Sequence, residues 1–139
     1  MAEVKMFTKL ILADDNPATR SALAFILNQR LGLGIAGEAA SMEELLSVLR
    51  VAPVEAGLLV LDWELPGLSQ ACGVAALHAL RPNLRIVALS ARAGAREEAL
   101  AAGADAFVSM VEPPEMLLAA VNAAAALVSN TCPSGQVEN

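Results

Sequence analysis

Five short apolar runs alternate with five stretches of helical periodicity along this chain of 139 residues. The runs cover residues 8–13, 35–39, 56–62, 84–90 and 106–109. A run that is apolar at nearly every position, rather than at every second one, suits a strand covered on both faces. Repeats of strand then helix imply a parallel sheet, and right-handed crossovers place helices on both of its sides. The expected fold is therefore α/β, a (βα)5 doubly wound sheet of five parallel strands.

Local signals punctuate the pattern. Asn16 and Pro17 suit the cap and first turn of the first helix, and Gly32 and Gly34 end it. Ser41 with Glu44 three residues later forms a capping box for the second helix. Pro66-Gly67 marks a turn before a third helix over 74–80, which Arg81-Pro82-Asn83 closes. A short, Ala-rich fourth helix over 95–102 ends at Gly103, and Pro113-Pro114 opens a last helix over 115–128. The domain is read as 7–128. Residues 129–139 are polar with Pro and Gly, and read as a tail or a linker.

Composition narrows the class. Apolar residues make up 56% of the chain and its mean hydropathy is +0.55, which excludes disorder as the main state. No membrane span is expected: the longest apolar candidate, 116–128, is shorter than the roughly 18 residues needed and holds Asn122. The N-terminus has no signal-peptide cleavage site. Cys72 and Cys132 are far apart, have no metal spacing and are expected to be free thiols, so a cytoplasmic protein is the default. A net charge of −6 argues against direct nucleic-acid contact by this domain.

In doubly wound sheets, ligands sit at the carboxyl ends of the strands. Here Asp14 and Asp15 end the first strand, Asp62 the third and Ser90 the fourth. Three carboxylates on one rim repel one another. Such a cluster serves to bind a hard cation, Mg²⁺ in a site of this size, and a carboxylate beside a metal can attack a phosphoryl group. The bland alternative is an acidic turn capping the first helix. Asp62 counts against it, because residues 63–67 separate it from the next helix.

The motifs ILADD at 11–15, LVLDWELPG at 59–67, IVALSA at 86–91 and AGADAFV at 102–108 occur in order. With them the chain resembles the receiver domain of two-component response regulators, most closely the subgroup that carries a helix-turn-helix output domain. The resemblance implies a flavodoxin-like sheet of strand order 2-1-3-4-5. It implies Asp62 as phosphoacceptor, Asp15 as direct Mg²⁺ ligand, Asp14 as a ligand through water and the Glu64 backbone carbonyl as a further ligand. Ser90 matches the hydroxyl that bonds a phosphoryl oxygen, and Phe107 the aromatic switch. A histidine kinase is the implied donor. The domain is then no enzyme in the turnover sense, since a receiver catalyses only its own phosphorylation and dephosphorylation.

The sequence departs from the family at one decisive place. The family carries a Lys after the fifth strand, where this chain has Met110, and its only lysines are Lys5 and Lys9. Without that cation at least one carboxylate should be harder to ionise. The leading reading is an atypical receiver phosphorylated on Asp62, relaying a signal by changed partner or self-association. The alternative is a degenerate receiver acting as a phosphorylation-independent adaptor, and a third class is an aspartyl-phosphate phosphatase. The stretch from Ser90 to Met110 is also about two residues shorter than is common in the family, which predicts a short, loosely anchored fourth helix. Arg92 either replaces the missing charge or pairs with Glu64 across the mouth of the site.

Other residues read as structural. His78 is expected on a helix surface, and Trp63 by the rim as a packing residue. The last helix has no charge after Glu115 and a run of four alanines at 123–126. A helix apolar all round usually has more than one partner. Expected partners are a second copy through the last two helices, or a missing output domain.

Overall fold

The computed structural model describes residues 8–127. Ten elements alternate: β1 (Lys9–Ala13), α1 (Pro17–Leu31), β2 (Gly34–Ala39), α2 (Met42–Val51), β3 (Leu58–Asp62), α3 (Gln70–Leu80), β4 (Arg85–Ser90), α4 (Ala95–Ala102), β5 (Ala106–Ser109) and α5 (Pro114–Leu127). All strand pairs are parallel, in the order β2-β1-β3-β4-β5. This is the flavodoxin-like receiver architecture.

Strand alternation divides the core into two layers. Ile11, Leu59, Leu61, Ile86 and Ala88 face a cluster built with Leu45 and Leu49 of α2, Val74 and Leu77 of α3, and Ala95 and Ala99 of α4. Leu10, Leu12, Leu58, Val60, Val87 and Leu89 face the other side, against Leu27 of α1 and Leu117, Leu118, Val121, Ala124 and Ala125 of α5. Both sheet faces are dry, which is why the strands read as continuous apolar runs.

The capping signals act as their chemistry predicts. The Asn16 side chain accepts the N–H groups of Ala18 and Thr19 at 2.9 and 3.2 Å. Ser41 accepts the Glu44 N–H at 3.2 Å, and the Glu44 carboxylate returns to the Ala40 N–H at 2.7 Å, one residue before the capping position. The start of α3 differs from expectation, at Gln70 rather than Val74. Ser69 and Gln70 both take left-handed conformations, with φ 52° and 40°, and turn the chain into the helix without a side-chain cap. Gly73 then lies so close to the Leu68 carbonyl that a Cβ would collide with it.

The last helix buries one face and leaves Ala119, Asn122 and Ala123 exposed, with Met116 partly so. Its alanine surplus therefore includes thin solvent-facing positions rather than a continuous apolar stripe. α4 is short, as expected, but anchored: Ala95 and Ala99 are fully buried and its first turn is tied by Glu98 to the site described below. No helix among the described residues is long and apolar enough to cross a membrane. Residues 129–139, with Cys132, lie outside the described residues. Cys72 is an exposed free thiol.

Candidate functional site

The strand order reverses direction around β1, so its carboxyl end and that of β3 open onto a crevice where ligands of such sheets bind. Three acids line it. Asp14 follows β1 directly and is buried; its N–H donates to the Ala39 carbonyl at 3.0 Å. Its carboxylate accepts the Asn16 N–H at 2.8 Å. Asp15 beside it is exposed. Asp62 ends β3, half-buried, and accepts the Glu64 N–H at 2.9 Å. Carboxylate oxygens of Asp14, Asp15 and Asp62 lie within 4.8 Å of one another.

Burial, and then the charges of Asp14, Asp15 and Glu64, push the Asp62 acid above its ordinary value of 3.8, against the opposing pull of the Glu64 N–H. Among the described residues no arginine or lysine pairs with these three acids. Hard, anionic oxygens at this spacing, with no ion pair to their carboxylates among the described residues, fit a divalent cation such as Mg²⁺.

A second group of side chains borders the acids. Ser90, buried at the end of β4, donates its hydroxyl to Glu64 Oε2 at 3.1 Å. The same oxygen accepts Arg92 Nε at 3.1 Å. Arg92 also donates its backbone N–H to Ser90 Oγ at 3.0 Å, and grips Glu98 with both terminal nitrogens at 3.1 and 2.7 Å. Glu98 in turn accepts the Trp63 indole N–H at 3.2 Å. Held by Arg92 and Trp63, the Glu98 carboxyl is pulled down to about 2. Arg92 therefore pairs with Glu64 across the mouth, one of the two arrangements its position allowed.

The remaining sequence candidates separate. Phe107 is buried in the α2–α3–α4 layer, with the Arg96 guanidinium 5.2 Å from its ring centre. Met110 donates its N–H to the Ser90 carbonyl at 3.0 Å, is exposed, and borders an apolar cleft of about 250 Å³ shared with Ala22, Ile26 and Leu117. It brings no charge to the acids. Trp63, directly after Asp62, is 1% exposed and packs into the core, as expected of a packing residue by the rim. His78 is half-buried, with its ring nitrogen 3.1 Å from the Leu84 carbonyl.

Two contributors escaped the sequence reading. Arg20 bonds the Asp14 carbonyl oxygen at 2.6 Å and pairs with Glu38 at 2.9 Å, joining α1 to the acidic loop. Its only linear signal is an arginine in the first turn of a helix that follows two acids. Glu98 had the look of an ordinary acid in a first helical turn; its role depends on Trp63, 35 positions earlier in the chain.

The family model for the response regulator receiver domain matches residues 10–122. The transcriptional activator protein ExaE of Pseudomonas putida is 35% identical over 114 residues, covering 81% of this chain and 52% of that protein. The chain thus spans about half the length of the curated relatives it matches. A two-component response regulator of the LuxR family from Aurantimonas sp. SI85-9A1 superposes with a TM-score of 0.75 at 24% identity, covering 84% of each chain. A CheY-like receiver domain protein from Methanospirillum hungatei JF-1 gives 0.71 at 24% identity, covering 84% of this chain and 91% of that one.

Proposed function

This chain belongs to the response regulator receiver family, and from that premise we propose that it accepts a phosphoryl group on Asp62 with Mg²⁺ and relays the signal by changing what it binds. The observation that carries the reading is the close grouping of Asp14, Asp15 and Asp62 beside the buried Ser90 hydroxyl. Asp14 and Asp15, with Asp62 and the Glu64 backbone carbonyl, would hold the cation. When bound, Mg²⁺ supplies charge neutralisation to the oxygens of an incoming phosphoryl group.

The chain's own residues do the rest. A carboxylate oxygen of Asp62 attacks phosphorus in line. The bond from phosphorus to the donor breaks, its electron pair leaves with the donor, and Asp62 becomes an acyl phosphate. Ser90 donates its hydroxyl to a phosphoryl oxygen. That contact draws on the end of β4, and Phe107 and α4 lie in the adjoining layer that would register the change. The donor in this reading is a histidine kinase. The partners are a second copy through α4 and α5, or an output domain like those of the longer regulators it resembles. Nucleic-acid contact by this domain and membrane association form no part of the reading, and the expected setting is the cytoplasm.

One observation favours a second reading. Met110, exposed and uncharged, stands where the family carries its lysine, which suits an adaptor that works without phosphorylation. Incubation with Mg²⁺ and acetyl phosphate separates the two. A mass gain of one phosphoryl group, absent with EDTA and absent in Asp62→Asn, is the expected result. No gain, with no Mg²⁺ binding, would leave the adaptor. Rapid release of inorganic phosphate over many turnovers would indicate a phosphatase.

A further inference from the structure

Glu64 Oε2 accepts two donors at once, the Ser90 hydroxyl and Arg92 Nε, each at 3.1 Å. Two converging donors on one anionic oxygen form a small anion cradle. The oxygen now in it belongs to a side chain two residues from Asp62. We propose that Glu64 is an internal stand-in for a phosphoryl oxygen: on modification of Asp62 it leaves, and a phosphoryl oxygen takes its place between the Ser90 hydroxyl and Arg92 Nε. Arg92 thereby supplies the charge that Met110 lacks. The inference rests on the reading of Asp62 as acceptor, and deepens it.

The geometry allows this exchange. Arg92 and Glu64 are 41% and 46% exposed, so their pair is a weak surface contact that little energy holds shut. A phosphoryl group carries more negative charge than a carboxylate and offers three oxygens, so it competes well for the same donors. Meanwhile Arg92 need not leave its place. Both terminal nitrogens stay on Glu98, which the Trp63 indole holds from beneath, and only the Nε edge changes partner. The fork of a guanidinium can serve two anions in this way, whereas an ammonium has no fixed second edge. Glu98 is thus a positioning residue for Arg92.

The test compares variants in the rate at which Mg²⁺ and acetyl phosphate add a phosphoryl group to Asp62, with far-UV circular dichroism confirming an intact fold. Arg92→Gln should slow the gain about tenfold, the weight of one charge-assisted hydrogen bond. Glu64→Gln should speed it, because an amide holds the cradle less firmly than a carboxylate. Arg92→Lys, which keeps the charge, should recover part of the loss. Opposite signs at the two partners are the signature, since a pair that merely braced the loop would slow the reaction from either side. Equal slowing by Arg92→Gln and Glu64→Gln, or an Arg92→Gln rate equal to wild type, overturns the exchange while leaving Asp62 as acceptor. No gain in wild type or in Glu64→Gln overturns both.

Discussion

Asp62 carries the consequence of three acids meeting on one rim, and the sign of that effect can be worked out. Its acid is raised above 3.8 in the folded chain, first by burial and then by neighbouring charge. A raised carboxyl favours the folded state fully below its unfolded value, and that contribution is lost as pH rises through the folded value. In metal-free buffer at pH 7, Asp62→Asn should therefore raise Tm by a few degrees. The gain should vanish below pH 3.8, and thermal melts across pH would check it. Saturating Mg²⁺ should shrink it. Glu98 runs the opposite way: held near 2, its contribution is present above its ordinary value of 4.5 and is lost as pH falls toward 2. Asp14, Asp15, Asp62 and Ser90 were legible in the sequence because each follows directly from a buried run, and a strand end fixes where a side chain emerges. Trp63 packs as expected, but nothing local shows that Glu98 of α4 takes its indole N–H. Glu98 was missed because its meaning lies in Arg92 and Trp63 together.

At the scale of elements, all ten were legible: β3 and β4, inside the sheet, are written as nearly unbroken apolar runs, and the edge strand β2, half-buried and holding exposed Glu38, still follows from the alternation of strand and helix. The start of α3 was not. Its entry depends on left-handed backbone at Ser69 and Gln70 and on the Leu68 carbonyl pressed against Gly73, neither of which a linear pattern records. A glycine inside a helix ordinarily gains about 1 kcal/mol on becoming alanine. Gly73→Ala should do the reverse and destabilise by about 1–3 kcal/mol through overpacking, as read by urea unfolding. The anchoring of α4 is testable too. Glu98→Ala removes the acceptor of the Trp63 indole and the clamp on Arg92. It should shift Trp63 emission and raise amide exchange in the first turn of α4, while leaving exchange in α1 and α5 unchanged. Unaltered emission and exchange would mean that Ala95 and Ala99 alone hold the helix.

The whole molecule is a single sheet between two helical layers, its strand order implied by resemblance and borne out, with its acids at the reversal beside β1. What the linear pattern could not supply is the way Glu64, Arg92 and Glu98 close the mouth over Ser90, since these side chains come from three separate loops and helices. Binding of Mg²⁺ only to the folded chain should stabilise it by about 1.4 kcal/mol at ten times Kd, reversibly with EDTA. Asp15→Asn should abolish that rise in Tm. The central claim is that Asp62 itself becomes an acyl phosphate. Acyl phosphates are reduced by borohydride to the corresponding alcohol, which marks the modified residue permanently. After treatment with Mg²⁺ and acetyl phosphate, then borohydride, peptide mass mapping should find homoserine at position 62 and unmodified aspartate at 14 and 15. Unmodified aspartate at 62, or homoserine at 14 or 15 instead, would contradict the account.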